Sequence, residues 1–323
     1  MDNPASRYLI FGAGALGSVF GAMLQQQGLD VTYVGRGEHF ETAMRRGLRI
    51  TGIWGEHQVP SRRMKSLEDC REDGEQFPVI LLCVKSMHTD ESARQASPLL
   101  EEDGIMVSIQ NGLNNWETIA RHVGPERTVG ARVIFGAEIP EPGVALVSVY
   151  ADPVLLGEPL APVNRDLLTA LDRDLNLSGI PTKIVSPEEI RSALWAKVLY
   201  NSALNPLSAI LGVPYGRLGE QAETREVMHE VLREIFQVME ARGVSVPFRD
   251  ADDYYRFFME KQLPATVDHR SSMLQDISRG RPTEIDAMNG AISRYAKELN
   301  IPTPYNDFLT HLIRFKERFA RKS

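Results

Sequence analysis

The sequence predicts an α/β fold in which a doubly wound, mainly parallel sheet is followed by an all-α domain. Three observations lead to this prediction. The first half alternates short apolar runs with helical patterns, residues 130–156 are rich in β-forming and turn residues that suggest antiparallel strands, and the periodicity is helical from Ser186 onward. Because 323 residues usually exceed one compact core, we expect two domains, residues 1–185 and residues 186–323.

Composition and charge exclude several classes of function. Hydrophobic residues make up 43% of the chain and the net charge is -7, so there is no electrostatic footprint for nucleic acid or an anionic membrane. No apolar run approaches the roughly 18 residues of a membrane span, and the start, MDNPASRYLIFGAG, lacks a signal-peptide pattern. Cys70 and Cys83 show no metal-ligand spacing and fit structural thiols in a reducing compartment. We expect a cytoplasmic protein without a metal, nucleic acid or membrane partner.

The first strand, RYLIF, leads into the motif GAGALG and then into a helix rich in alanine and leucine. A glycine motif that binds a dinucleotide requires this context of a strand before it and a helix after it. Gly12 would make the tight turn, Gly14 would let the backbone approach a pyrophosphate, and Gly17 would allow close packing of helix on strand. The alternative is a glycine-rich turn without a ligand. The sequence favours a Rossmann-type domain whose cofactor-binding residues are Gly12, Ala13, Gly14, Ala15, Leu16 and Gly17.

The end of the second strand, in DVTYVGRG, indicates which dinucleotide is bound. Enzymes that use NAD place an acidic residue there to contact the ribose 2′-hydroxyl. Asp30 lies at the start of this strand, whereas Arg36 lies at its carboxyl end between two glycines. The planar guanidinium of arginine can bind a 2′-phosphate through two hydrogen bonds. We therefore predict NADP(H) as the cofactor, with a solvated loop arginine as the alternative for Arg36.

Two further polar residues follow apolar runs of the predicted parallel sheet. Lys85 follows PVILLCV, and Asn111 follows GIMVSIQ. The carboxyl ends of strands line the ligand crevice in open α/β sheets, so both residues are candidates for the site. A loop lysine and a turn-forming Asn-Gly pair are the plain alternatives.

The second domain is predicted to begin with a helix. Ser186 supplies a hydroxyl N-cap, Pro187 suits the first helical position, and Glu189 supplies a carboxylate at the third. Farther along, Pro206 removes a backbone donor, so we expect the helix to kink or end there.

A polar row runs through this otherwise apolar helix. Lys197, Asn201 and Asn205 recur every four residues, so each is offset from the last by only about 40° around the axis. The three side chains share one face. They predict either an active-site face with a catalytic lysine or a lysine that extends to water beside surface amides.

The segment SSMLQDISRGRPTEIDAMNG contains a further carboxylate of interest. Gly280 and Pro282 should break one helix, and Thr283 should cap the next with Asp286 at its third position. Glu284 would then begin that helix. It is either an active-site carboxylate or a residue that stabilises the helix through its dipole.

Taken in order, these segments resemble the ketopantoate reductase family over nearly the whole chain. The combination is far more specific than a glycine motif alone. The segments that carry the resemblance are GAGALG, VKS, QNG, ALWAKVLYNSALNPLSAI and SSMLQDISRGRPTEID.

The resemblance implies roles for the residues at matching positions. It implies a cofactor held by Gly12, Ala13, Gly14, Ala15, Leu16, Gly17 and Arg36, with Lys85 and Asn111 beside the nicotinamide end. It implies catalytic roles for Lys197 and for Glu284, which also contacts the cofactor. It implies a keto acid bound by Asn111, Lys197, Asn201, Asn205 and Ser272.

The reaction implied by the resemblance is the NADPH-dependent reduction of 2-dehydropantoate to pantoate, with hydride delivered to the C2 ketone and Lys197 as the general acid. His269 stands where a well-known family member has asparagine, which keeps another 2-oxo acid open as the substrate. A non-catalytic regulator that binds NADPH is a second alternative. Helical second domains can form homodimers, and the sequence does not establish the oligomeric state.

Overall fold

The computed structural model describes residues 7–320 and divides into two compact units. The first contains the residues through Asn111 together with Asn115–Ile190, and the second contains Gly112–Asn114 together with the residues from Arg191 onward. The predicted boundary at residues 185/186 lies slightly before this division. Residues 1–6, where no targeting segment was expected, lie outside the described part of the chain.

Within residues 7–320, ten strands form one sheet in the first unit. The strands are β1 Arg7–Phe11, β2 Asp30–Val34, β3 Leu48–Gly52, β4 His57–Val59, β5 Met64–Lys65, β6 Phe77–Leu82, β7 Leu100–Ser108, β8 Thr128–Glu141, β9 Val144–Gly157 and β10 Thr182–Ile184. The helices of this unit are α1 Ala15–Gln26, α2 Glu38–Arg46, α3 Leu67–Glu72, α4 Thr89–Ala96, α5 Asn115–Val123 and α6 Arg165–Leu177.

The strand order is β4-β3-β9-β8-β7-β6-β1-β2-β5, with β10 paired to β9. Neighbours from β8 through β5 run parallel, and β8 and β9 form a long antiparallel pair. Every residue of β6, FPVILL, is buried, as expected for a strand covered on both faces. The predicted doubly wound sheet with antiparallel strands after residue 130 is therefore confirmed.

The sheet curls around α1. The end strands of the path, β4 and β5, are joined by residues 60–63 alone, which can span at most about 18 Å. A flat path of nine strands would separate its ends by roughly 38 Å. Helix α1 contacts β1, β2, β3, β4, β8 and β9, and its residues 17–24 are all buried. The helix that begins at the glycine motif is thus enclosed by strands from both ends of the sheet.

The second unit is built from helices, as the sequence predicted. They are α7 Pro187–Leu211, α8 Tyr215–Glu220, α9 Ala222–Ala241, α10 Ala251–Phe257, α11 Ser272–Ser278, α12 Asn289–Glu298 and α13 Pro304–Ala320. Its core joins Leu199 and Leu204 of α7 with Ile235 of α9 and Ile292 of α12, all fully buried. No helix within residues 7–320 combines the length and apolarity needed to cross a bilayer.

We expected α7 to kink or end at Pro206, and it does not end there. The helix continues to Leu211. Pro206 has no N–H to donate to the carbonyl oxygen four residues earlier, and another group donates a hydrogen bond to that oxygen instead. The amide of Asn289 donates from Nδ2 to the backbone oxygen of Ser202, four residues before the proline, at 3.1 Å. The same Nδ2 donates to Asn306 Oδ1 at 2.9 Å, which fixes the amide in place.

The helix expected to begin at Glu284 is also absent. Ile285–Ala287 form only a single 3-10 turn, and α12 begins after it. Thr283 Oγ1 accepts the N–H of Ile285, the first residue of this short turn, at 3.3 Å. The carboxylate of Asp286 does not take part in a capping box. It accepts hydrogen bonds from Arg314 of α13 at 2.6 and 3.0 Å instead.

Candidate active site

The glycine loop between β1 and α1 requires glycine at two positions for reasons of space. Gly12 has φ +103°, and a Cβ there would lie 2.7 Å from the backbone nitrogen of Val84. A Cβ on Gly17 would collide with the carbonyl oxygen of Gly12. These two glycines let the loop turn sharply and let α1 pack closely on the strands.

Gly14 is different because a Cβ there would meet nothing within 4 Å. Gly14 is the N-cap of α1 and makes no side-chain capping bond. The first N–H groups of a helix lack intrahelical partners and carry the positive end of its dipole. Open space in front of such an N-terminus fits the pyrophosphate of a dinucleotide.

Arg36 and Asp30 lie at opposite ends of β2. Asp30, at the start, pairs with Arg7 at 3.5 Å and with Arg63. Arg36, just beyond the carboxyl end, is exposed and its Nη2 lies 3.1 Å from Nε2 of His88. The carboxylate of Asp30 is therefore neutralised by arginines at the start of β2, away from the glycine loop. Arg36 instead lies at the end of the strand where ligands bind.

His88 is a residue that sequence reasoning missed. It ends a 3-10 turn, Ser86–His88, that follows Lys85. Burial and the charge of Arg36 lower the pKa of its imidazole, with a smaller lowering by Lys85 and an opposing effect of Glu91. One feature of the sequence could have indicated His88 as a site residue: it lies three residues after Lys85, the polar residue that follows the buried strand β6.

Lys85 and Asn111 follow adjacent parallel strands. Lys85 lies after β6 and Asn111 after β7, and both are half-buried. The strands β1 and β6 are also neighbours, and the pairing continues past their ends, where the N–H of Cys83 donates to Phe11 O at 2.8 Å. The glycine loop, Lys85 and Asn111 therefore belong to one edge of the sheet, as predicted.

The predicted polar row is present on α7. Lys197, Asn201 and Asn205 belong to one uninterrupted helix, so they share a face. Lys197 and Asn201 are half-buried, whereas Asn205 is only 2% exposed.

The amide of Asn205 is engaged within the second unit. Its Oδ1 accepts a short hydrogen bond from the hydroxyl of Tyr215, and its Nδ2 lies 3.6 Å from the sulfur of Met288. Tyr215 in turn packs against His269, with ring centroids 5.0 Å apart. To bind a keto acid directly, Asn205 would have to exchange one of these contacts.

Ser272 is the exposed first residue of α11. The preceding Ser271 caps this helix by accepting the N–H of Leu274 at 3.0 Å and donates to the backbone oxygen of Asn205 at 3.5 Å. The start of α11 is therefore tied to α7 at Asn205.

Glu284 is half-buried and is the N-cap of the 3-10 turn that precedes Met288. Because Met288 contacts Asn205, this turn also lies against the second half of α7. The second unit thus gathers the segments that carry Asn205, Ser272, Glu284 and His269.

Two family profiles cover most of the chain. The profile described as Ketopantoate reductase PanE/ApbA matches residues 8–159, and the corresponding C-terminal profile matches residues 189–317. Together they span the glycine loop, strands β2 through β9 and the polar face of α7.

Individual proteins are similar over their full lengths. The 2-dehydropantoate 2-reductase of Aquifex aeolicus is 34% identical over 98% of this chain and 98% of its own. The crystal structure of a PanE/ApbA family ketopantoate reductase from Ralstonia eutropha JMP134 superimposes with a TM-score of 0.85 at 30% identity, covering 98% and 99% of the two chains. The ternary structure of D-mandelate dehydrogenase with NADH and anilino(oxo)acetate gives a TM-score of 0.85 at 26% identity, covering 97% and 99%.

Proposed function

This chain belongs to the ketopantoate reductase family, and from that premise we propose that it reduces 2-dehydropantoate to pantoate with NADPH. The observation that carries the proposal is the full-length similarity to a 2-dehydropantoate 2-reductase. The polar face of α7 supports it, because a lysine followed by two amides suits a substrate that carries a carboxylate beside a ketone. We assign the reaction to the cytoplasm and to pantothenate and coenzyme A biosynthesis.

We assign the cofactor to the glycine loop and the strand ends. The space at Gly14 and the N-terminus of α1 suit the pyrophosphate, and Arg36 suits the 2′-phosphate. Lys85, Asn111 and Glu284 are assigned to the nicotinamide end on the basis of the family resemblance.

The dinucleotide, held at the glycine loop and Arg36, would supply the hydride for the C2 carbon of the ketone. Lys197, as an ammonium group, stabilises the negative charge that builds on the carbonyl oxygen and transfers a proton to it. The resulting amine takes a proton back from solvent, which balances the reaction. Asn111, Asn201, Asn205 and Ser272 orient the carboxylate and hydroxyl of the substrate.

Reduction of a different 2-oxo acid is the second candidate function. The similarity to D-mandelate dehydrogenase bound to NADH and anilino(oxo)acetate favours it. His269 is consistent with it as well, because an exposed imidazole packed on Tyr215 presents a different surface from the asparagine of a family member.

A substrate panel tests both candidates. The purified enzyme is assayed with 2-dehydropantoate, an aromatic 2-oxo acid and a short aliphatic 2-oxo acid, each with NADPH and with NADH. We expect the highest kcat/KM for 2-dehydropantoate with NADPH. Rapid turnover of the aromatic acid with NADH, without turnover of 2-dehydropantoate, would establish the second candidate. Tight NADPH binding without turnover of any acid would instead indicate a regulator.

A further inference from the structure

The pair formed by Arg36 and His88 lies beyond the carboxyl ends of two strands that flank β1. Arg36 follows β2, and His88 follows β6, with β1 and its glycine loop between them. The 3.1 Å separation of Arg36 Nη2 and His88 Nε2 joins residues that are 52 positions apart. The pair is half-buried on the histidine side and exposed on the arginine side, so a ligand can reach it.

The contact fixes the protonation state of His88. A guanidinium can only donate, so Nε2 of the imidazole must accept. An imidazole that accepts at Nε2 is neutral and carries its hydrogen on Nδ1. The charged groups around it are Arg36 on the loop after β2, Lys85 before the 3-10 turn and Glu91 on α4, so two cations oppose protonation and one carboxylate favours it.

We propose that His88 is a second ligand for the 2′-phosphate of NADPH and takes up a proton when that phosphate binds. The proposal rests on the proposed function, because it requires a nicotinamide dinucleotide at the glycine loop. A phosphate dianion at Arg36 accepts the guanidinium hydrogen bond that His88 now receives. The imidazole then gains one proton from solvent at Nε2 and donates it in a charge-assisted hydrogen bond to a phosphate oxygen.

The consequence is a preference for NADPH over NADH that depends on pH. NADH has a 2′-hydroxyl in place of the 2′-phosphate. This hydroxyl is uncharged, so it does not favour protonation of His88. The 2′-phosphate itself titrates near pH 6, so the affinity of the wild-type protein alone does not isolate the histidine. A His88→Gln variant isolates the contribution of the histidine, because glutamine can accept a hydrogen bond from Arg36 but cannot gain a charge.

Calorimetric titration of the full-length protein provides the test. NADPH and NADH are each titrated at pH 7.0 in two non-phosphate buffers of different ionisation enthalpy, which gives the number of protons taken up on binding. We expect net proton uptake with NADPH and almost none with NADH. In His88→Gln the uptake with NADPH should fall nearly to zero, while NADH affinity stays unchanged and shows that the variant is folded.

The affinities themselves provide a second measurement. The loss of NADPH affinity caused by His88→Gln should grow from about twofold at pH 8 to about tenfold at pH 6, as expected for one partly exposed charged hydrogen bond. His229→Gln is the matched control, because His229 pairs with Asp252 in the second unit at 2.7 Å and should not affect either nucleotide. Arg36→Ala should weaken NADPH binding at every pH.

Equal proton uptake for NADPH and NADH in the wild-type protein would overturn the proposal without any variant. Equal uptake in the wild type and His88→Gln would also overturn it. Failure of the proposed function is a separate result, in which NADPH binds no better than NADH and Arg36→Ala changes neither affinity.

Discussion

Gly14 and Gly17 differ in one respect that separates ligand binding from folding. A methyl group on Gly14 has space in front of the helix, whereas one on Gly17 collides with the backbone of Gly12. We expect Gly14→Ala to change the free energy of unfolding by less than about 1 kcal/mol but to weaken NADPH binding by roughly 10- to 100-fold, since the methyl occupies the path of the pyrophosphate.

Thermal unfolding with and without NADPH measures both effects, because a bound ligand raises Tm according to its affinity. Gly17→Ala is the matched comparison. It should reduce the free energy of unfolding by about 1–3 kcal/mol and therefore lower Tm even without nucleotide. A Gly14→Ala protein that keeps the full Tm increase with NADPH would show that the pyrophosphate does not approach this residue.

Lys197 is the residue on which the proposed chemistry depends most. We expect Lys197→Ala to lower kcat by about 10²- to 10⁴-fold, the usual contribution of a general acid, while NADPH binding is retained. Lys197→Arg should also be slow, because guanidinium keeps the charge but is too weak an acid to release a proton.

Steady-state kinetics and a direct NADPH titration test this prediction together. Lys297→Ala, an exposed lysine near the end of α12, should retain wild-type kcat. Near-normal turnover in Lys197→Ala would remove this lysine from the mechanism.

At the level of the secondary structure elements, the continuity of α7 depends on a side chain from another helix. Asn289 replaces the N–H that Pro206 lacks, and removing its amide leaves the buried carbonyl of Ser202 without that donor. We expect Asn289→Ala to reduce the free energy of unfolding by about 2–4 kcal/mol, which includes about 1–3 kcal/mol for the carbonyl.

A double-mutant cycle with Pro206→Ala isolates this effect. An alanine at position 206 restores a backbone N–H that can donate to Ser202, so Asn289→Ala should cost at least about 1 kcal/mol less in that background. Urea unfolding of the four proteins gives the coupling. Strictly additive losses would mean that Asn289 stabilises the protein through its other contacts alone.

His39 of α2 joins two other elements of the first unit. Its Nδ1 accepts the N–H of Gly143, in the turn between β8 and β9, at 3.1 Å, so the neutral ring donates from Nε2 to Ser18 of α1 at 3.0 Å. Burial lowers the pKa of the imidazole from its ordinary value of 6.5. Protonation would place a hydrogen on Nδ1 against the N–H of Gly143.

The lowered pKa gives a definite sign for the effect of pH. The stability that neutral His39 provides is present above pH 6.5, the unfolded value, and is lost as the pH falls through the lower pKa of the folded protein. We expect the stability of the wild type to fall more steeply below pH 6.5 than that of His39→Gln. Urea unfolding between pH 5 and 8 measures this, and parallel curves for the two proteins would contradict it.

At the level of the whole molecule, the parts that were predictable are those with local signals. The strands RYLIF and PVILL, the glycine loop and the helical second half each show their pattern within a few residues. The short strands β3, β4, β5 and β10 were not foreseen, because their two to five residues contain no run of consecutive apolar residues like those of RYLIF and PVILL.

The same distinction applies to the candidate site. The glycines and the polar face of α7 follow from spacing along the chain. His88 and Tyr215 escaped notice because their significance arises from contacts with Arg36 and Asn205, which local spacing does not encode. The continuation of α7 past Pro206 likewise depends on Asn289, far away in sequence.

The curled sheet has a consequence for the order in which the chain folds. Strand β3 pairs with β9 in a register that aligns Arg49 with Val144, a separation of 144 − 49 = 95 positions. Closing so long a loop carries an entropy cost that slows the formation of such contacts. During synthesis, β9 must emerge from the ribosome before the enclosure of α1 can be completed. The glycine loop, although it precedes β9 in the sequence, therefore gains its final support only after β9 has been made.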